Sequence, residues 1–331
     1  MEAVIRGIGS YTPERRVTND ELAQTLDTSD EWIQSHTGIR SRHVAAPEQA
    51  ASDLAVEACT RALAEAKCDP ATVDLILLAT STPDYQGLPS TASVVQHRLG
   101  CSNAGAMDLV VACSGFVYGL ETARAYIRGG MAKNVLVVGS EVYSRIVDWS
   151  DRSTCILFGD GAGACLLSGV EGSGVEGEVG VIDSVLRSRG SDAESLYRPV
   201  GGSRTPLAKG EKPGSDSYLK MDGRKVYVFA VSVLVDIIRT LLERNNISID
   251  EVDYIVPHQA NVRIIEAAAK RADIPMDKFF TNLQEYANTS AASIPIALDE
   301  MRRDGLLKPG ALILTVGFGA GLAYGGNLIR L

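Results

Sequence analysis

A cysteine, a histidine and an asparagine stand at three strand-to-helix junctions of this chain, where polar side chains are placed for chemistry. An apolar, strand-like run at 107–111 ends in Ala112-Cys113-Ser114-Gly115. An amphipathic helix begins at once, with Phe116, Leu120, Ala123 and Ile127 at helical spacing as far as Gly129-Gly130. A cysteine at such a junction meets helix N–H groups without intrahelical partners and the positive end of the helix dipole. That setting favours thiolate over thiol, so the pattern predicts a lowered pKa and a nucleophilic sulfur. The same residue also reads as a buried structural cysteine, and the local pattern leaves both readings open. Two further junctions bear on the choice. Strand 254–256 runs into Pro257-His258-Gln259-Ala260-Asn261, and Phe279-Phe280 leads to Asn288-Thr289-Ser290. An imidazole and a carboxamide at equivalent loop ends, facing a cysteine at a helix start, make a set suited to thioester chemistry.

These residues need a scaffold that brings distant junctions together. Residues 3–9 read as a strand, Thr18-Asn19-Asp20-Glu21-Leu22 and 27–33 as capped helix starts, 52–66 as a helix and 73–79 as a buried strand. Helices alternating with apolar strands imply a parallel or mixed sheet covered on both faces. The second half repeats the first. Val73-Asp74-Leu75-Ile76 matches Val252-Asp253-Tyr254-Ile255, and 135–139 matches 312–317. The same interval separates Cys113 from Gly130 and Asn288 from Gly305, and Gly161-Ala162-Gly163 echoes Gly319-Ala320-Gly321. The expected fold is α/β, a layered sandwich of two duplicated halves, 1–171 and 172–331. Its pseudo-two-fold axis would make corresponding loops converge, Cys113 from one half meeting His258 and Asn288 from the other. The irregular stretch 187–221, rich in Gly, Ser, Pro and Lys, reads as a surface excursion near the site entrance.

Composition narrows the partners. With 331 residues, 45% hydrophobic and 22% charged, the chain is of ordinary globular type. A net charge of −9 argues against nucleic acid as the main partner. Six scattered cysteines and four histidines show no metal-ligand spacing, so no metal site is expected. No secretory pattern is visible at 1–7, and the glycine-broken stretch 310–327 does not read as a membrane span, so the expected location is cytoplasmic.

Ala112-Cys113-Ser114-Gly115, Pro257-His258-Gln259-Ala260-Asn261, Asn288-Thr289-Ser290 and Gly317-Phe318-Gly319-Ala320-Gly321 resemble the signatures of β-ketoacyl-acyl-carrier-protein synthase III, in the thiolase superfamily. Asp30-Glu31-Trp32-Ile33, Thr37-Gly38-Ile39-Arg40 and Phe158-Gly159-Asp160-Gly161-Ala162-Gly163 match as well, so the resemblance covers nearly the whole chain. It implies the five-layered αβαβα thiolase fold, a homodimer and a Cys113-His258-Asn288 triad. Elongating ketosynthases of that superfamily usually carry Cys-His-His and thiolases Cys-His-Cys, so Asn288 points to the initiating class. The implied reaction is decarboxylative Claisen condensation of an acyl-CoA primer with malonyl-acyl-carrier protein. Cys113 would hold the acyl group, the backbone N–H groups of Cys113 and Ala320 would form the oxyanion hole, and His258 and Asn288 would donate to the malonyl thioester oxygen.

The resemblance also places Trp32 under the CoA adenine, Arg152 on that nucleotide and Asn261 on the pantetheine arm. His36 stands where many relatives carry arginine for the CoA phosphates; histidine holds little charge near neutral pH, and Arg224 is a candidate to supply it instead. Arg263, Lys270 and Arg271, at spacings that share a helix face, would dock the acidic carrier protein. Leu88 falls where acetyl-selective members often carry Phe, which suggests room for a longer or branched primer. Other readings are a secondary-metabolite condensing enzyme or acyltransferase, and a non-catalytic scaffold subunit. The presence of all three triad residues weighs against the scaffold.

Overall fold

The computed structural model describes residues 1–172, 179–207, 210 and 214–331. Five strands, β1 (Glu2–Tyr11), β2 (Leu75–Ala79), β3 (Gly105–Leu109), β4 (Asn134–Val142) and β5 (Asp160–Val170), form one sheet in the order β1-β5-β4-β2-β3. Four more, β6 (Gly180–Ser188), β7 (Tyr254–Pro257), β8 (Leu312–Gly319) and β9 (Ala323–Arg330), form a second in the order β7-β8-β9-β6. The pairing pattern is the same in both. In each the first strand is antiparallel to the last, the last is antiparallel to the strand before it in the chain, and that strand is parallel to the second. The counterpart of β3 is reduced to one parallel bridge between Ile255 and Phe279.

Five layers follow from where the apolar helix faces go. Helices α1 (Asp30–Thr37), α2 (Ala51–Ala66), α3 (Thr91–Leu99) and α4 (Gly115–Arg128) belong to the first half. Helices α5 (Gly223–Asn245), α6 (Val262–Ala272) and α7 (Ser293–Arg303) belong to the second. On one side α2 and α3 cover the outer face of the first sheet through Leu54, Ala58, Ala62 and Val95. The central helices α4 and α7 lie between the sheets, with Phe116, Leu120 and Ile127 from one and Ile294, Leu298 and Met301 from the other in a shared core. On the far side α5 and α6 cover the second sheet. This is the α/β thiolase-like sandwich expected from the sequence. Among the described residues no helix is long and apolar enough to cross a membrane.

The acidic residue in each repeated Val-Asp segment has a definite task. Asp74 accepts hydrogen bonds from the backbone N–H groups of Lys133 and Asn134, and Asp253 accepts one from Leu312. Each carboxylate therefore fixes the start of the neighbouring parallel strand, and hence its register. Two sequence matches shift. Helix α4 has 14 residues and α7 has 11, so counting back from Gly130 and Gly305 pairs Cys113 with the wrong residue. Aligned at their starts, Ala112 matches Ser290, Cys113 matches Ala291, and Asn288 stands before the turn. The glycine echo moves too: Gly163 pairs with Gly139 in the first sheet as Gly325 pairs with Gly317 in the second.

Candidate active site

The turn that carries Cys113 differs from a plain helix start. Strand β3 is a half-buried edge strand, Val110 beyond it is 82% exposed, and a tight 3-10 turn, Ala112–Ser114, precedes α4. Ala112 opens this turn with φ 45°, and Ser290 opens the matching turn Ser290–Ala292 with φ 50°. Left-handed backbone at non-glycine residues costs energy and persists where the surroundings enforce it. Here the two turns pack against each other between the sheets. The Ser114 hydroxyl donates to the Ala323 carbonyl at 2.7 Å, seating the cysteine turn on the β8–β9 hairpin.

Cys113, His258 and Asn288 line one cavity of about 170 Å³, with Leu157, Phe229 and Phe318 among its apolar walls. Cys113 is nearly buried, and burial pushes its thiol up to about 12, partly offset by the Ser290 hydroxyl and reinforced by the nearby Glu141 carboxyl. The expectation of a lowered pKa is therefore not met. Cys113 lies ahead of the helix, inside the 3-10 turn, and desolvation of a thiolate outweighs the dipole there.

His258 extends β7, its N–H donating to the Val316 carbonyl at 2.7 Å. Burial alone pulls its pKa down to about 3, so the imidazole is neutral. Its Nδ1 lies 2.7 Å from Ser293 Oγ, and the Gln259 N–H donates to that same oxygen at 3.4 Å. In the tautomer with the ring proton on Nε2, the Ser293 hydroxyl donates to Nδ1 while its oxygen accepts from Gln259. Asn288 is held by its backbone in a parallel bridge with Phe158: its N–H donates to Leu157 and its carbonyl accepts from Gly159. A Cβ on Gly159 would come within 2.8 Å of the Tyr286 carbonyl, so glycine permits that approach. Asn288 Oδ1 accepts from the Ser290 N–H at 2.8 Å, leaving the NH₂ as the free donor half of the carboxamide.

The glycine-rich turn contributes through Gly319 more visibly than through Ala320. A Cβ on Gly319 would lie 2.8 Å from Cys113 N and 3.2 Å from Sγ, and Gly319 lines the cavity whereas Ala320 does not. Asn261 lines it as well. Its Oδ1 caps α6 by accepting from Arg263 N–H, and its Nδ2 donates to the His36 carbonyl at 3.1 Å, tying α1 to the cavity. Trp32 is 36% exposed, with the His36 ring stacked at 4.2 Å and the Arg152 guanidinium 4.8 Å from its ring centroid. Arg224 lies apart, in an adjoining groove of about 500 Å³ that shares Phe229 and Leu322 with the cavity. Arg263, Lys270 and Arg271 are all exposed on α6, but Glu266 interrupts the face shared by Arg263 and Lys270. Leu88 does not line the cavity within this chain; it is 88% exposed, on the rim of a separate groove of about 860 Å³ lined by Gly87, Ser90 and Val110. The stretch 187–221 is more than an excursion. Leu196 and Met221, paired across a two-stranded ribbon, form cavity wall, while residues 208, 209 and 211–213 lie outside the described residues.

Two family models match the chain, the 3-oxoacyl-[acyl-carrier-protein (ACP)] synthase III family over residues 107–190 and its C-terminal part over residues 242–331. The chain is 48% identical to the β-ketoacyl-[acyl-carrier-protein] synthase III of Caldanaerobacter subterraneus subsp. tengcongensis, over 100% of this chain and 98% of that protein. It is 49% identical to the enzyme of that name from Neisseria gonorrhoeae, over 99% of each. The crystal structure of 3-oxoacyl-[acyl-carrier-protein] synthase III from Aquifex aeolicus superposes with a TM-score of 0.90 at 42% identity, covering 99% of this chain and 100% of that one. The chain belongs to the β-ketoacyl-[acyl-carrier-protein] synthase III family.

Within this synthase III chain, three residues that do not line the cavity support it, Glu141 in β4, Ser290 in a turn and Ser293 at a helix start. In the sequence Ser290 stands out only as part of the Asn288-Thr289-Ser290 signature, and none of the three is given a role there. Glu141 is fully buried; it accepts from Ser290 Oγ at 2.9 Å on one oxygen and from Ser81 N–H and Thr82 Oγ1, at 2.9 and 2.7 Å, on the other.

Proposed function

We propose that this chain performs its family's decarboxylative Claisen condensation, in fatty-acid synthesis, with Cys113 as nucleophile and His258 and Asn288 as neutral donors. The Cys113 sulfur attacks the thioester carbonyl of an acyl-CoA; the new C–S bond forms, the bond to CoA sulfur breaks, and the acyl group stays on Cys113. Backbone N–H groups of Cys113 and Ala320 meet the tetrahedral oxyanion, a role the close seat of Gly319 supports. Malonyl-acyl-carrier protein then binds, and its thioester oxygen accepts from His258 Nε2–H and the Asn288 NH₂ as carbon dioxide leaves. The carbanion attacks the acyl carbon and frees the sulfur.

The observation that carries this reading is that both donors share the Cys113 cavity while His258 is held neutral, with a pKa of about 3. A neutral donor stabilises the enolate without quenching it, as a full acid would. Trp32, Arg152 and Asn261 take the CoA nucleotide and pantetheine arm, with Arg224 in the adjoining groove as a source of positive charge. Arg263, Lys270 and Arg271 form the carrier-protein docking face, their position supported by Arg263 standing two residues from Asn261 at the cavity. No cofactor is needed, acyl-CoA being a substrate.

The halves 1–171 and 172–331 are products of duplication, supported by their matching strand pairings. A homodimer is supported by the apolar patch at Tyr85, Leu88 and Val110, exposed by 53%, 88% and 82%. In such a dimer Leu88 would reach an acyl pocket only across the interface. Six free cysteines suit a cytoplasmic location. Single-turnover reaction of acylated protein with malonyl-carrier protein tests the reading. Carbon dioxide and 3-oxoacyl-carrier protein are expected in equal amounts; acyl transfer without carbon dioxide release would contradict it.

A further inference from the structure

The site contains a nucleophile whose proton has no evident destination in the cavity. His258 is held neutral by burial, and its Nδ1 is occupied by Ser293. Asn288 does not ionise. Ser290 does not line that cavity; it opens the turn packed against the Cys113 turn, and its hydroxyl favours the sulfur's anion against the effect of burial. That hydroxyl is hydrogen-bonded to Glu141 Oε1 at 2.9 Å.

We propose that Glu141, acting through the Ser290 hydroxyl, accepts the Cys113 thiol proton and holds it until the sulfur is released from the acyl group. This rests on the reading of Cys113 as the nucleophile. The thiol proton passes to Ser290 Oγ as the Ser290 proton passes to Glu141 Oε1, leaving a thiolate, an unchanged serine and a neutral carboxylic acid. The thiolate takes the acyl group, and the departing CoA thiolate is protonated by solvent. When the carbanion displaces the sulfur, the Cys113 thiolate recovers its proton from Glu141 by the reverse path. The cycle consumes one solvent proton for each carbon dioxide released, and all charges balance. A neutral Glu141 during condensation also keeps a second negative charge away from the forming enolate.

The setting of Glu141 suits this. It is fully buried among hydroxyl and N–H donors, with no ion pair among the described residues, and burial pushes its carboxyl up to about 7. The ionisable groups beside it are Cys113 and Tyr143, both in electrostatic contact. On the paired strand β5, Asp160 is engaged by Ala45 and Ser144, and on α2 Asp53 is paired with Arg98. Thr80, Ser81 and Thr82 beyond β2, and the turn Ser290–Ala292, bring no carboxylate or cation.

Single-turnover acylation by acyl-CoA, followed by intact mass as pH is varied, tests the proposal. Wild-type acylation is expected to rise with pH to a plateau, with its midpoint near 7, because an ionised Glu141 must receive the proton. Glu141→Gln should lose that limb and fall about a hundredfold at neutral pH, climbing instead toward the ionisation of the thiol itself. Ser290→Ala should do the same, and Glu141→Asp should restore the limb. A variant that fails to fold shows itself by a lost thermal transition, and either of the others then carries the test. Retention of the wild-type limb in folded Glu141→Gln or Ser290→Ala overturns the proposal, as does its disappearance in His258→Gln alone. Absence of any wild-type adduct at every pH would remove the nucleophile itself, and this proposal with it.

Discussion

His258 Nδ1 meets Ser293 Oγ at 2.7 Å, at a junction equivalent to the one where the first half of the chain packs Ala79 against Gly115. The register of the two sheets makes these pairs equivalent: β2 pairs with β4 as β7 pairs with β8, and Gly115 and Ser293 each begin a central helix. A Cβ on Gly115 would come within 2.4 Å of the Ala79 Cβ, so the first half is closed where the second holds an imidazole and its positioning hydroxyl. The fold thus builds two like junctions. Side chains decide that one half supplies the sulfur and the other the hydrogen-bond donors.

Gly319 is extended, with φ −176°, so its backbone tolerates any residue and only space forbids a side chain. Its Cβ would stand 2.8 Å from Cys113 N and 2.9 Å from Cys113 Cβ. Gly319→Ala must therefore shift the nucleophile turn. Acylation by acyl-CoA is expected to fall about a hundredfold, the cost of a displacement on the order of 1 Å at a reacting atom. Stopped-flow release of CoA would show it.

Asn288 serves two ends of one side chain, Oδ1 bracing Ser290 and NH₂ available to substrate. Asn288→Ala removes both. Decarboxylation is expected to drop by about a hundredfold to a thousandfold, the usual loss for one oxyanion donor. Loading of Cys113 should persist, and stability should fall by about 1 kcal/mol for the lost brace. Loading that fails as badly as decarboxylation would contradict this division of roles.

Burial moves Glu141 and His258 in opposite directions. Glu141 rises from 4.5 to about 7, so its stabilising contribution is full below about 4.5 and is lost as pH rises through 7. His258 falls from 6.5 to about 3, so its contribution is full above about 6.5 and is lost as pH falls through 3. Glu141→Gln cannot ionise. It should gain up to about 3 kcal/mol relative to wild type between about pH 4.5 and pH 8, read from urea unfolding at both. An unchanged difference would show that Glu141 titrates normally.

Charge reversal at Arg263 and Lys270 tests the proposed carrier-protein face. Both are exposed, without an ion pair among the described residues. The double reversal should raise KM for malonyl-carrier protein several-fold, more at low salt than at high, and leave acyl-CoA loading intact. Equal damage to both half-reactions would place these residues elsewhere in the cycle.

Much of this arrangement was legible from residues alone. The capped helix starts at 18–22 and 27–33, the helix under Cys113 and the paired Val-Asp strands follow from local rules that context did not override. Cys113 and His258 stood out because each follows an apolar run, and Asn288 because its motif follows Phe279-Phe280 through a short polar passage. What sequence could not give was distance and solvation. A junction cysteine looks activated until the 3-10 turn, the 3% exposure and the carboxyl of Glu141 are seen together. Leu88 was read as pocket lining because it falls where acetyl-selective members often carry Phe, yet within one chain it is exposed. Glu141 and Ser293 were invisible because their partners lie far away in sequence.

Incubation with a panel of acyl-CoAs, followed by intact mass and peptide mapping, tests the central claim most directly. One acyl group per chain is expected, on Cys113, discharged on addition of malonyl-carrier protein and absent from Cys113→Ala. An adduct on another residue, or an acyl-Cys113 that malonyl-carrier protein leaves in place, would contradict the account.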